Sequence, residues 1–80
     1  VPSPKKKLEQ VLGDIIRSRR ESLGLSQETL AFECGLHRTY ISQLERGQKS
    51  PTLRVLFSIA TALEMPPDEI VRLANSTLSK

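Results

Sequence analysis

The tightest constraint on this chain is a glycine set between two short helical patterns. Ser26 is a good N-cap for a helix over Gln27–Cys34, and Glu28 stands in its first turn, where the helix dipole favours a carboxylate. Gly35 ends that helix about two turns after it begins. Only Leu36 and His37 separate it from a second pattern over Arg38–Glu45, which Gly47 ends in turn. Gly35 supplies a left-handed backbone conformation in which a Cβ would cost about 1 kcal/mol or more. Ala31 has to be small because the following helix crosses there. Leu30, Cys34, Leu36, Ile41 and Leu44 supply the apolar positions that bury the unit. An ordinary helical hairpin with a glycine turn is the bland alternative. Agreement of seven constrained positions within the segment Gln27–Arg46 argues for a more specific arrangement, two short helices held at a fixed crossing.

The rest of the chain supplies helices around this unit. Leu8, Val11, Leu12, Ile15, Ile16 and Leu23 recur at helical spacing, and Gly24 stops that first helix. Ser50 and Pro51 read as N-cap and first residue of a fourth helix, whose inner face is Leu53, Leu56, Ile59, Ala60 and Leu63. Pro66 and Pro67 break the chain, and a fifth helix follows through Asp68, Glu69, Ile70, Val71, Leu73, Ala74 and Leu78, fraying toward Lys80. No segment alternates like a strand, and no Asn-Gly or Asp-Gly hairpin signal occurs. The expected fold class is all-α, five helices in one domain over residues 8–80, preceded by a flexible basic tail over residues 1–7 that carries Lys5, Lys6 and Lys7. That lysine run reads either as a solvated tail or as an arm gripping phosphates.

Charge distribution narrows the partner. The net charge is +3, a mild hint of a polyanion. Between Leu36 and Arg54 the charged residues are Arg38, Glu45, Arg46, Lys49 and Arg54, so neutralising Glu45 internally leaves the stretch wholly basic. Acids gather elsewhere, at Glu9, Asp14, Glu28, Glu33, Glu64, Asp68 and Glu69. A one-sided map of this kind suits a phosphate-facing surface. The single cysteine, Cys34, excludes an intramolecular disulfide and fits a reducing cytoplasm. No apolar run approaches a membrane span and no signal-peptide pattern appears.

The stretch Gly24–Leu53, GLSQETLAFECGLHRTYISQLERGQKSPTL, strongly resembles the Cro/repressor-type helix-turn-helix family, also described as xenobiotic-response-element-like. The likeness extends more weakly from about Leu8 to Leu73. It implies a repressor-like DNA-binding domain whose third helix enters the major groove. The Arg38-Thr39-Tyr40 run also resembles the recognition helices of restriction-modification controller proteins; stand-alone phage regulators and antitoxins are similar enough to compete.

Carried onto this sequence, the family's base-reading positions fall on Arg38, Thr39 and Gln43. The chemistry suits them: Arg38 can bond bidentately to guanine O6 and N7, Gln43 likewise to adenine, and the Thr39 methyl can meet a thymine methyl. Ser42, one turn from Thr39, completes the face; all four residues could equally be simple solvated polar side chains. The resemblance assigns Gln27 to a phosphate, with backbone N–H groups and the helix dipole behind it. Tyr40, Arg46, Lys49 and Ser50 are further phosphate candidates, with Tyr40 as partly buried core the alternative, and Ser26 serves either a phosphate or only its helix. The family also pairs an arginine near the end of the first helix with the glutamate of the third, which implies an Arg20–Glu45 ion pair; Arg17 or Arg19 could substitute. His37 stands where a Ser or Thr often caps the third helix, and its default reading is a surface residue.

Reading more than a few base pairs requires two domains, so a homodimer is expected. The fourth helix has more apolar residues than one core face needs, and Val55, Phe57, Ile70, Val71, Leu73 and Leu78 are the interface candidates; the alternative is that all are core. Two positions depart from the family pattern. Glu64 stands in place of the usual glycine after the fourth helix, and Pro66 replaces a capping side chain before the fifth. Cys34 and His37, the only thiol and imidazole, support neither catalysis nor a metal site, which needs three or four ligands. No cofactor is expected. The reading is therefore a cytoplasmic, non-enzymatic, sequence-specific transcription regulator that binds a palindromic operator, activating or repressing its promoter, with double-stranded DNA, a second copy and RNA polymerase as candidate partners. An antitoxin that binds a toxin and autoregulates its operon is the alternative, and a degenerate domain serving only protein contacts a third.

Overall fold

A computed structural model describes residues 7–79. Within them the chain forms α1 (Leu8–Ser22), α2 (Gln27–Cys34), α3 (Arg38–Glu45), α4 (Leu53–Ala62) and α5 (Pro67–Leu78), with no strand among the described residues. The expected lysine tail falls largely on residues 1–6, outside the described residues.

Local chemistry explains most of the boundaries. Ser26 Oγ accepts the Thr29 N–H at 3.0 Å and opens α2. Gly35, at φ +68°, closes it, and the Leu36 N–H reaches back to the Ala31 carbonyl at 2.8 Å. α4 begins later than the Ser50–Pro51 signal predicts. Thr52 is the cap, its Oγ1 accepting the Val55 N–H at 3.1 Å, and Ser50 and Pro51 lie outside the helix. Both sites carry a cap-type residue, but Pro51 biases Ser50 toward extended backbone and Thr52 is the hydroxyl that reaches an orphan donor. α5 starts on Pro67 with Asp68 and Glu69 in its first turn, and Pro66 contributes no side-chain cap. Between α4 and α5, Glu64 adopts φ +55°, the conformation that glycine takes at a helix C′ position.

Two apolar clusters build the interior. Ile16, Leu30, Ala31, Ile41, Leu44, Ile59 and Leu63 join α1, α2, α3 and the end of α4. Val11, Leu12, Leu56, Ala60, Ile70 and Ala74 join α1, α4 and α5. α1 thus lies against α3 on one side and α5 on another, while α3 touches α1 and α2. Ile70 corrects one expectation: it is fully buried in the second cluster and offers no surface to a partner. Ile70 and Ala74, one turn apart, define the inner face of α5, which turns Val71 outward. Val55 is half-buried and packs against the first cluster, so it too leans toward the core.

Candidate nucleic-acid interface

α3 is an eight-residue helix whose inner side is tightly held. Ile41 and Leu44 are buried in the first cluster, and Glu45 is buried beside them. The opposite side is what the fold leaves open. Arg38 and Thr39 are exposed at its N-terminal end, and Ser42 and Gln43 are half-buried along the same helix. Arg38 makes no hydrogen bond or ion pair among the described residues, so its planar set of donors is free for a ligand. His37 occupies the cap position in extended backbone and gives no side-chain cap bond.

A buried carboxylate organises the approach to this face. Arg20 Nε donates to Glu45 Oε2 at 2.6 Å and Arg20 Nη2 to Glu45 Oε1 at 3.0 Å, a bidentate fork from α1 to α3. Arg20 Nη1 donates to the Leu25 carbonyl at 2.7 Å, which ties the same guanidinium to the turn before α2. The hydrogen bonds to Glu45 hold the Arg20 pKa above its ordinary value against the opposing effect of burial, and the charges of Glu45 and Glu21 add to the rise. Arg17 and Arg19 go elsewhere. Arg17 pairs with Glu21 on the surface at 3.3 Å. Arg19 Nε and Nη2 donate to the Leu63 and Glu64 carbonyls at 2.9 and 3.1 Å, satisfying the end of α4.

The pattern in the sequence did not reveal that Gln27 belongs to the same cluster. Gln27 Nε2 donates to Glu45 Oε1 at 3.0 Å, so one carboxylate gathers α1, α2 and α3. One amide N–H and the amide oxygen remain for an outside partner. Beside them, the first-turn N–H groups of Gln27 and Glu28 have no intrahelical acceptor, because the Ser26 cap takes that of Thr29. Ser26 also donates its hydroxyl hydrogen to Thr29 Oγ1 at 2.9 Å, so its one donor is used within α2. Arg46, Lys49 and Ser50 are exposed just after α3, with Arg46 Nε donating to the Ser42 carbonyl at 3.3 Å. Tyr40 is half-buried with its ring against the first cluster.

Cys34 Sγ donates to the Ser58 carbonyl at 3.7 Å, and burial, then the nearby Glu33, raises its thiol pKa. No group of three or more His, Cys, Asp or Glu able to hold a metal occurs among the described residues. No described helix is long and apolar enough to cross a membrane. Leu8, Leu12, Leu53, Leu56, Val71 and Leu78 line a groove between α1, α4 and α5 whose rim includes Ser50, and Phe32 on α2 is a separate exposed apolar side chain.

Two short helices crossing at a left-handed glycine, with the second presenting an exposed arginine, define a helix-turn-helix DNA-binding domain. The chain belongs to the helix-turn-helix family, whose pattern it matches over residues 16–70. It is 44% identical over 62 residues to the control protein C.BamHI of Bacillus amyloliquefaciens, an alignment covering 76% of each chain. Its fold is similar to that of the restriction-modification controller protein C.Esp1396I, solved as a tetramer in complex with its natural 35-base-pair operator, with a TM-score of 0.81, 29% identity and coverage of 95% of this chain and 100% of that one. It is also similar to the clp gene regulator ClgR of Corynebacterium glutamicum, with a TM-score of 0.88, 28% identity and coverage of 96% and 99%.

Proposed function

We propose that this chain is a transcription regulator that recognises a palindromic operator as a homodimer, acting as the controller protein of a restriction-modification system. The observation that carries the reading is the exposed Arg38, without a bond among the described residues, at the start of a helix whose other side is locked by the core and by Glu45. In the groove, Arg38 reads guanine, Thr39 a thymine methyl, and Gln43 with Ser42 the adjoining base pairs. Gln27 and the first-turn N–H groups of α2 grip a phosphate, and Arg46, Lys49, Ser50 and Tyr40 flank it. The likeness to C.BamHI and C.Esp1396I supports the restriction-modification role. The groove and exposed apolar residues of α4 and α5, Phe57, Val71 and Leu73 among them, support pairing with a second copy. Activation would run through a contact with RNA polymerase, and the site of action is the cytoplasm.

Selection of sites from random duplex DNA tests this. The expected product is a two-fold-symmetric site with half-sites about one helical turn apart. Arg38→Ala then costs about 1–3 kcal/mol and relaxes one base pair, whereas Gln27→Ala weakens all sequences alike. Recovery of no preferred sequence, or co-purification with a toxin needed for binding, refutes the proposal.

A further inference from the structure

Glycine is a poor residue for a helix interior, costing about 1 kcal/mol relative to alanine, yet Gly13 sits in the middle of α1 and is buried. What it faces explains its presence. A Cβ at Gly13 would overlap the Leu44 carbonyl oxygen and lie 2.7 Å from that of Glu45, at the C-terminal end of α3. The same edge of α1 is close one turn earlier, where a Cβ at Gly47 would lie 3.0 Å from the Gln10 Cα. Gly13 and Arg20 are seven residues apart, two turns along one face of α1, about 10 Å. The end of α3 therefore rests on bare backbone at Gly13 and is tied by the Glu45 fork at Arg20.

We infer that Gly13 is a positioning residue for DNA reading: by letting the α3 carbonyls seat directly on α1, it sets the depth and tilt of the face that carries Arg38, Thr39 and Gln43. The inference rests on the DNA-reading role proposed above for that face. The obstructing atoms are backbone carbonyls, which no rotamer change can move aside. To reach even a tight 3.0 Å contact, the Glu45 carbonyl would retreat by about 0.3 Å and that of Leu44 by more. α3 is the element that gives way, since α1 is a 15-residue helix held on its other side by the cluster of Val11, Leu12, Ile70 and Ala74, whereas α3 is an eight-residue helix seated on α2 and on the first cluster through Ile41 and Leu44. A shift of a few tenths of an ångström or more is on the scale of the roughly 0.5 Å tolerance of a preorganised polar contact. Phosphate contacts from α2 and the loop after α3 are less demanding, because they hold position without reading sequence.

The test is the ratio of operator affinity to bulk-DNA affinity for Gly13→Ala, measured on the full chain at concentrations where its assembly state matches the wild type. The selected operator and random duplex are the two probes. Wild-type discrimination is measured first; its absence would count against the DNA-reading proposal itself rather than against Gly13. The expected result is a folded variant whose ratio falls about 10-fold or more, while bulk affinity changes less than about 3-fold. Ala60→Gly, which loosens the second cluster away from α3, lowers stability and leaves the ratio unchanged. Gly13→Ala is also made in a Glu64→Gly background, which relieves the positive-φ turn and offsets part of any folding defect. An unchanged ratio in the folded variant, or failure to fold in both backgrounds, would overturn the inference, since either shows that Gly13 serves packing alone.

Discussion

Removing the carboxylate of Glu45 tests the keystone of the site. Its side chain is 2% exposed and that of Arg20 10%, so the pair has neither the solvent nor the mobility of a surface ion pair. Glu45→Ala removes the acceptors of two Arg20 N–H bonds, at 2.6 and 3.0 Å, and of the Gln27 amide at 3.0 Å. Arg20 keeps its bond to the Leu25 carbonyl and the exposed Glu21 carboxylate at 4.0 Å, but its largely buried charge loses the bidentate partner. Stranding one member of such a pair costs about 3–5 kcal/mol, mostly through the uncompensated charge, where a surface pair would cost about 0–1 kcal/mol. The whole stability of a domain this size is about 4–12 kcal/mol, so the loss takes roughly a quarter of it or more. Urea titration followed by far-ultraviolet circular dichroism measures the loss, and a thermal scan shows a Tm lower by more than about 12 °C. The double replacement Arg20→Met with Glu45→Leu removes both charges while filling similar volume, and recovers most of the lost stability. It does not recover DNA affinity, because Gln27 has lost the acceptor that orients it. A loss below about 1 kcal/mol for Glu45→Ala would refute the reasoning, showing the pair to be effectively solvated.

Glu64→Gly should stabilise the protein by about 0.5–1 kcal/mol, because glycine takes the φ of +55° without a Cβ conflict; a Tm that falls would show that Glu64 contributes more than strain. Val71→Asp or Leu53→Asp, at exposed positions on the apolar groove, should shift sedimentation toward monomer while leaving helix content intact, and an unchanged dimer would move the interface elsewhere. Cys34 has its thiol pKa raised by burial in the folded state, so folding favours the protonated form. Its contribution to stability is therefore complete below the unfolded thiol pKa and is lost as pH rises through the higher folded value. Denaturation midpoints for the wild type, compared with Cys34→Ala, should converge in that alkaline window; parallel curves would remove the thiol from the account.

Where the signals are local, sequence and structure agree closely. α2 and α3 span the expected Gln27–Cys34 and Arg38–Glu45, because a capping serine and left-handed glycines at 35 and 47 act over one turn and need no distant partner. The start of α4 was less legible, since Ser50 and Thr52 both look like caps and only geometry shows which hydroxyl meets an N–H. The burial of Ile70 was not legible for a related reason. Five apolar side chains in α5 establish amphipathicity, but rotating the helix by one residue decides which of them the core takes. Gly13 stands out in the sequence only as a glycine inside an otherwise regular helix, a costly position whose reason lies in what the helix packs against.

The chain alone determined that five helices form, that two of them meet at a glycine turn, and that basic residues cluster after that turn, because caps, breakers and periodicity are properties of neighbouring residues. Only the tertiary structure decided what those helices touch. Gln27 meets Glu45 across 18 residues, and Arg19 meets the end of α4 across 44 and 45. Gly13 lies under the carbonyls of α3. Such contacts follow from how closely and at what angle whole helices pack, which is set by the summed shape of the core and is not written at any single position.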